Sequence, residues 1–301
     1  MKNWLFIFGI SLLVPSVIAT KALAWGDEGH EIVGLIAEHE LANSPAVLAK
    51  IHDLLAADTS GIVRRDTGDL MADEATWADR YRDMNQRRSH YTATRNWHFV
   101  DLEIDSPSMN EACSGQKQLP QGTAASAGPA NDCVVDKIEQ FQEELSSSAT
   151  ASAERLMALQ FLLHFVGDLH QPLHSSDRND QGGNGKTVSA PGFNQGKLHG
   201  YWDTEFVQQL GTDPQAVAAN LEASITPADR IEWTKGTVES WAMESFSAAK
   251  TVAYGRLPQP DPNGTFELSA DYVGATRPIV STQLSKAGVR LAAILKRALG
   301  N

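Results

Sequence analysis

One segment of the sequence, from Phe161 to His174, constrains the fold more than any other. It reads FLLHFVGDLHQPLH, a run of apolar residues interrupted by imidazole and carboxylate groups. Apolar residues at most helical positions predict a helix that is buried on every side. His164 and Asp168 are four residues apart, so both side chains project from one face of this helix. Since a buried carboxylate needs a partner, the segment predicts a helix that carries metal ligands.

A second pair with the same spacing follows the first. His199 and Asp203 are also four residues apart in a segment with helical periodicity. A converging imidazole and carboxylate suit zinc, which takes nitrogen and oxygen ligands at about 2 Å. Taken alone, either pair also fits an ordinary surface contact between histidine and aspartate. Pro172 ends the first helix near Gln171, so His174 can fold back toward a second metal ion.

His170 is the exception among the histidines of this segment. It is six residues from His164, which turns it well away from the face that His164 shares with Asp168. We therefore expect His170 to have a structural role near the site and not to bind metal.

Two upstream runs add candidate ligands. Asp79 ends a Thr-Trp-Ala-Asp run on a short predicted helix, and His98 lies in the run Trp-His-Phe-Val-Asp. By spacing alone Asp79 cannot be distinguished from Asp73 or Asp83. His98 also fits a hydrogen-bonded histidine of the core.

The N-terminal residues predict an exported protein. Lys2 precedes an apolar stretch from Trp4 to Ile18, and Ala22-Leu23-Ala24 is a small-x-small cleavage pattern. A membrane anchor is the alternative, but the stretch is shorter than the roughly 20 residues that span a bilayer. We expect a signal peptide over 1–24, a secreted or periplasmic mature chain and no membrane anchor.

The mature chain would then begin at Trp25, five residues before His30. Its free α-amine and carbonyl can chelate a metal ion together, although nothing in the composition requires it. Removing 24 of 301 residues leaves 277, with no repeat or linker to divide them. We expect one domain over 25–301, and a monomer.

The two cysteines predict a disulfide. Cys113 and Cys133 flank a stretch rich in Gly, Ala, Ser and Pro, and an exported chain normally oxidises such a pair. Closing a loop of this size contributes roughly 3 kcal/mol in the chain-entropy model. With only two cysteines in the chain, we do not expect a zinc site built on thiolates.

The charge limits how the chain can attract a polyanion. The formal net charge is -12, and it becomes -14 once Lys2 and Lys21 are removed. A protein that relies on counterion release would display clusters of Lys and Arg. Any affinity for phosphate must therefore be local, and bound divalent metal ions can supply it.

The periodicity predicts an all-α fold, because apolar residues recur at three and four in many segments while strand alternation is scarce. The predicted helices are His30 to Leu41, Pro45 to Leu55, Asp73 to Asp83, Val135 to Leu145, Ala153 to His170, His199 to Leu210, Pro214 to Ile225, Asp229 to Tyr254 and Asp271 to Leu299. Two long irregular stretches, Asp105 to Asp132 and Ser175 to Gly196, are expected at a functional rim.

Taken together, these segments resemble the S1/P1 family of zinc-dependent single-strand nucleases, structural relatives of the zinc-dependent phospholipases C. The resemblance extends over the mature chain as far as about Phe206, and beyond it only the helical continuation is similar. The matching segments are Trp25 with His30, Trp77-Ala-Asp79, Trp97-His-Phe-Val-Asp101, His164 to His174 with Gly182-Gly183-Asn184, and His199-Gly-Tyr-Trp-Asp203.

The resemblance implies three zinc ions per chain in a single mainly helical domain with long loops. The implied ligands are Asp79, His98, His164 and Asp168 for the first ion, His174, His199 and Asp203 for the second, and the amine and carbonyl of Trp25, His30 and the second oxygen of Asp168 for the third. Asp168 would then bridge two metal ions. Asp79, Arg82 and Asp168 are the residues expected to be catalytic.

The same resemblance implies the substrate contacts. Arg82 would lie near the phosphate, a base would stack on Phe99, and Asp101 would read a base edge. Plain core packing is the alternative for Phe99. The implied reaction is hydrolysis of single-stranded DNA and RNA to 5′-phosphorylated products by metal-activated water, with 3′-mononucleotides as further substrates.

Two other functions are alternatives for a chain with these ligands. In the related phospholipases C the last ligand pair has a glutamate, whereas this chain has His199 and Asp203 and also carries Phe99 and Asp101. A non-catalytic zinc-binding protein would use closed sites with four protein ligands, but the second and third sites leave positions for water or substrate. Both comparisons favour the nuclease.

Overall fold

The computed structural model describes residues 25–84, 89–115 and 119–300. The predicted signal peptide, residues 1–24, lies outside these described residues. The helices are α1 Asp27–Glu40, α2 Pro45–Leu55, α3 Leu70–Glu74, α4 Trp77–Asp83, α5 Ser89–Thr94, α6 Met109–Ala112, α7 Val134–Ser146, α8 Ser152–His170, α9 Leu198–Gly200, α10 Phe206–Gln208, α11 Pro214–Glu222, α12 Pro227–Trp233, α13 Val238–Ala248 and α14 Ala270–Leu299. None of the helices within these ranges combines the length and apolar character needed to span a bilayer.

Helix α8 forms the centre of the fold. Every residue from Ala158 to His170 is buried, as the apolar run in the sequence predicts. The helix packs against α1, α2, α7 and α14, which cover its different faces. The potential metal ligands on α8 therefore lie in the protein interior, where only partners from neighbouring elements can reach them.

Most predicted helices are confirmed to within a few residues, but the prediction of one helix over Asp73 to Asp83 is wrong. The chain forms α3 and α4 with a break at Ala75, whose N–H closes the last turn of α3. The Ala75 carbonyl accepts a hydrogen bond from His164 Nδ1 at 2.7 Å. The break therefore provides an acceptor that orients a predicted metal ligand.

The prediction of one helix over Asp229 to Tyr254 is also wrong. Helices α12 and α13 are separated near Gly236, which has a left-handed φ of +84°. Thr237 and Ser240 then form a capping box that starts α13. After α13 the backbone continues as a π-helical segment, Ala249–Ala253. A left-handed glycine followed by a capping pair begins a new helix regardless of the apolar periodicity around it.

The structure also contains a small sheet, and only its first strand lies wholly within a stretch predicted to be irregular, Ser175 to Gly196. Strand β1, Thr187–Ser189, pairs antiparallel with β2, Gly196–Lys197, and parallel with β3, Thr265–Glu267. These strands have two or three residues each, too few for an alternating pattern to be recognised. The predicted all-α class is confirmed, because the described chain is mainly helical and the sheet is a minor addition.

The predicted disulfide is present between Cys113 and Cys133, with 4.9 Å between the Cα atoms. It closes the loop that precedes α7. Because both sulfurs are in the disulfide, neither is available as a thiolate ligand, although Asp136 lies close to them.

Gly288 of α14 lies directly against Ile36 of α1. A Cβ placed on Gly288 would lie 2.4 Å from Ile36 Cγ2, which is closer than van der Waals contact permits. Gly274 lies on the same helix, and a Cβ placed there would meet nothing within 4 Å. A neighbouring helix therefore occupies the space beside Gly288, whereas the space beside Gly274 is open.

We predict that Gly288→Ala lowers the free energy of unfolding by about 1–3 kcal/mol, because the added methyl overpacks the interface between α1 and α14. Gly274→Ala is the matched control, and it should raise stability by roughly 0.5–1 kcal/mol through helix propensity. Denaturant unfolding of both variants measures the difference. Equal stabilisation by both would show that the contact with Ile36 is not limiting.

Candidate metal centre

Four predicted ligands meet beside the middle of α8. His98 Nδ1 lies 2.9 Å from Asp168 Oδ2, and His164 Nε2 lies 3.3 Å from the same oxygen. Asp79 Oδ1 lies 3.5 Å from both of these nitrogens. Tetrahedral zinc with bonds of about 2.0–2.2 Å holds its ligand atoms about 3.3–3.6 Å apart. The first cluster, Asp79, His98, His164 and Asp168, therefore has spacings close to those of a zinc site.

The second cluster contains His174, His199 and Asp203. His174 follows α8 in the short 3₁₀ helix Pro172–His174, whereas Asp203 lies in the π-helical segment Tyr201–Glu205. The Nε2 atoms of the two histidines are 3.1 Å apart, and His199 Nε2 is 3.5 Å from Asp203 Oδ2. All three side chains are buried. Two imidazoles and one carboxylate leave a further position of a tetrahedral metal ion available to water or substrate.

His30 of α1 adds a third group of atoms. Its ring stacks on His164 with centroids 3.7 Å apart, and its Nε2 is 3.4 Å from Asp168 Oδ1. Asp168 therefore presents one oxygen to His30 and the other to His98 and His164. This is the arrangement that a carboxylate bridging two metal ions requires.

Hydrogen bonds to backbone carbonyls fix three of the imidazoles. The Nδ1 atoms of His164, His174 and His199 lie 2.7–2.8 Å from the carbonyl oxygens of Ala75, His98 and Gly182. Because a carbonyl can only accept, Nδ1 carries a proton in each of them, and Nε2 is the nitrogen that faces the cluster and can bind a metal ion once it is deprotonated. His98 has the opposite orientation, since its Nδ1 faces Asp168.

The buried polar atoms of the clusters fit a metal cation. Among the described residues, His164 Nε2 and Asp203 Oδ2 are buried without a hydrogen-bond partner. Burial raises the pKa of Asp203 well above its ordinary value. Burial alone would lower the pKa of His164, but Asp168 and Asp79 raise it to about 10. The carboxylates thus attract positive charge, and a mixed set of imidazole and carboxylate ligands suits zinc.

Gly167 makes room for the third group, and sequence reasoning did not single it out. A Cβ on Gly167 would lie 2.8 Å from His30 Nδ1. Its carbonyl accepts a hydrogen bond of 2.8 Å from the indole of Trp25, which is fully buried. A glycine inside a helix otherwise costs about 1 kcal/mol, which is the available signal that this position serves close approach.

The sequence marks Gln171 only as the end of a helix, yet its side chain contacts the second cluster. Its Nε2 donates a hydrogen bond of 2.6 Å to Asp203 Oδ1. In the sequence, Gln171 is an amide that lies between the predicted ligands Asp168 and His174 in an apolar segment. Because a buried amide needs hydrogen-bond partners, this position indicates a residue that contacts the site.

His170 lies outside all three groups. Its Nδ1 donates to the Val166 carbonyl at 2.7 Å, and its Nε2 accepts a hydrogen bond of 2.8 Å from Arg290. Burial first, and then Arg290, lowers the pKa of His170 well below its ordinary value. A neutral imidazole with both nitrogens bonded is structural, as its position six residues after His164 indicates.

The three residues predicted to contact substrate are each within three residues, in sequence, of a ligand of the first cluster. Arg82 is buried, and its Nη1 is 2.6 Å from Asp79 Oδ1. Phe99 directly follows His98 and is partly exposed, while Asp101 is exposed. Their contacts with substrate stay predictions.

Comparison with known proteins identifies the family. A sequence profile described as S1/P1 Nuclease matches residues 25–300. The chain belongs to the S1/P1 nuclease family. This confirms the family predicted from the motifs, and with it the prediction of a nuclease, a hydrolase of phosphodiester bonds.

Three relatives of this S1/P1 nuclease illustrate the similarity. Nuclease P1 of Penicillium citrinum is 28% identical over 294 residues, which cover 89% of this chain and 95% of the relative. Nuclease S1 of Aspergillus oryzae is 28% identical over 306 residues, which cover 94% and 96%. Endonuclease 2 of Arabidopsis thaliana is 31% identical over 295 residues, which cover 92% and 91%. The similarity therefore extends over nearly the whole of each chain.

We predict that Asp168→Asn loses more bound metal than any other single ligand substitution, because its two oxygens face different groups of ligands. Asp203→Asn is the comparison variant, and it should lose metal only from the second cluster. Metal per chain measured by mass spectrometry distinguishes the two variants. If Asp168→Asn retains as much metal as Asp203→Asn, the bridging role is wrong.

Proposed function

We propose that this S1/P1 nuclease hydrolyses single-stranded DNA and RNA to 5′-phosphorylated products, removes phosphate from 3′-mononucleotides and uses three zinc ions per chain. The observation that carries the proposal is Asp168, whose two carboxylate oxygens face separate groups of imidazoles. The three relatives are named as nucleases or an endonuclease, which supports the same reaction.

The ligand sets follow the clusters described above. The first zinc ion would be held by Asp79, His98, His164 and Asp168, the second by His174, His199 and Asp203, and the third by His30, Asp168 and the N-terminal Trp25. We further propose that the chain is exported, cleaved after Ala24 and active as a monomer. Cleavage would free the α-amine that the third ion requires.

The protein's own residues bind and orient the substrate. When bound, zinc supplies positive charge for phosphate oxygens and lowers the pKa of water. Arg82 is held in place by its ion pair with Asp79, and its guanidinium can donate charge-assisted hydrogen bonds to a phosphate. Asp168 and the carbonyl-bonded histidines keep the donor atoms in fixed directions, so little reorganisation is needed when the substrate arrives.

The preference for single strands follows from Phe99 and Asp101. A base can stack on the partly exposed ring of Phe99 only after it leaves its neighbours, which is costly within a duplex. The exposed carboxylate of Asp101 lies two residues further along and would then accept hydrogen bonds from the base edge. A single stacking platform tolerates any base, which fits a nuclease of low sequence specificity.

We predict that the mature protein hydrolyses single-stranded DNA, RNA and a 3′-mononucleotide, and that a chelator reduces each rate to background. A phosphatidylcholine substrate tests the phospholipase alternative in the same assay and should remain intact. Product analysis checks for 5′-phosphate ends. Cleavage of the phospholipid without cleavage of nucleic acid would favour the alternative, and chelator-resistant cleavage would contradict the zinc proposal.

We predict that one extra Ala before Trp25 reduces both zinc content and the rate on single-stranded DNA. The lone pair of a peptide nitrogen is delocalised into the carbonyl, so the extended protein has no amine at this position to bind zinc. Removal of the extra Ala by an aminopeptidase is the control and should restore both quantities. Equal zinc content and equal rates before and after removal would exclude Trp25 as a ligand, leaving the seven ligands of the other two ions.

A further inference from the structure

Gln171 is a fully buried amide between the first and second clusters. It is the first residue after α8 and lies three residues from both Asp168 and His174. Both ends of its amide form short hydrogen bonds. Its Nε2 is 2.6 Å from Asp203 Oδ1, and its Oε1 is 2.6 Å from the Leu173 N–H.

The Leu173 contact fixes which way the amide faces. A backbone N–H can only donate, so the amide oxygen must point to Leu173 and the amide NH₂ must point to Asp203. Asp203 therefore accepts a hydrogen bond through Oδ1. Its other oxygen, Oδ2, has no hydrogen bond within the described part of the chain and lies 3.5 Å from His199 Nε2. Gln171 thus holds the carboxylate in the rotation that presents one oxygen to His199.

The same residue also organises the backbone that carries His174. The His174 N–H donates a hydrogen bond of 2.9 Å to the Gln171 carbonyl, and the Gln171 side chain caps the Leu173 N–H in the same turn. The His174 ring then lies with its Nε2 3.1 Å from His199 Nε2. Gln171 thus contacts Asp203 directly through its side chain and supports the backbone turn that carries His174.

We propose that Gln171 is a positioning residue that sets metal affinity at the second cluster and leaves the first cluster unaffected. This inference rests on the proposed metal centre. Residues that orient metal ligands typically contribute about 10–100-fold to metal affinity. The side-chain contacts of Gln171 reach Asp203 and Leu173, whereas His164 is oriented independently by the Ala75 carbonyl. The effect should therefore be confined to one of the bound ions.

Gln160, which lies within α8, is a matched control. It is also buried, and its Nε2 donates a hydrogen bond of 2.8 Å to Glu74 Oε2. Glu74 is a buried carboxylate that belongs to none of the three ligand groups. Glutamine to glutamate at position 160 or 171 therefore makes the same chemical change beside a buried carboxylate, and only position 171 contacts a predicted ligand.

The test compares Gln171→Glu with Gln160→Glu in the mature protein. Gln171→Glu retains an oxygen for the Leu173 N–H but places a second carboxylate oxygen against Asp203. Zinc affinities are measured by competition with a chelator, and the absorption spectrum of the cobalt-substituted protein reports the ligand geometry. We expect Gln171→Glu to lower the affinity for one ion about 10–100-fold, to alter the cobalt spectrum and to lower kcat without changing KM. Gln160→Glu should leave the affinities and the spectrum unchanged, even if its melting temperature falls as far.

Each outcome decides the inference. Wild-type affinity for every ion in Gln171→Glu would overturn it, as would an equal loss of metal in Gln160→Glu. If Gln171→Glu does not fold, Gln171→Met gives the same measurement, because it fills a similar volume without either hydrogen bond or an added charge. Failure of the wild-type protein to bind metal would overturn the proposed metal centre as well, whereas metal binding that is insensitive to position 171 would overturn this inference alone.

Discussion

The buried carboxylate of Asp168 is the interaction on which the structure depends. It lies in the middle of a helix whose residues are buried from Ala158 to His170, so its charge must be compensated by its neighbours. Although burial alone raises the pKa of Asp168, His164 and His174 hold it well below its ordinary value. The elements around α8 are therefore arranged to bring imidazoles to one point. The break at Ala75 and the absence of a side chain at Gly167 are two consequences of that requirement.

Much of this arrangement could be predicted from the sequence, because it follows local periodicity. The spacing of His164 and Asp168 fixed their common face, and the apolar run around them indicated a buried helix. The errors lie where short-range chemistry overrides periodicity, as at the left-handed Gly236 and in strands of two or three residues. Gly167 and Gln171 escaped notice because their importance lies in contacts with residues distant in sequence. A glycine and an amide within an apolar helical segment mark these positions as unusual, but only the packed structure shows which residues they contact.

The net charge of the chain and the arginine at the first cluster act on a nucleic acid over different distances. With a formal net charge of -12, the chain has no long-range attraction for a polyanion. Arg82 is buried against Asp79 at the first cluster and is not free on the surface. Recognition of nucleic acid then depends on short-range contacts at the site itself. A flexible single strand can enter the site and make these contacts, whereas a rigid duplex cannot, so single strands are favoured.

The ligands of the three groups are far apart along the chain. His98 and Asp168 are 70 residues apart, and His174 is 76 residues from the backbone carbonyl that orients it. An ion held by such residues closes long loops, as a disulfide does, and it can do so only after the intervening helices have packed. Removal of such an ion would reopen these loops, so the free energy of unfolding would fall together with the metal occupancy of the site.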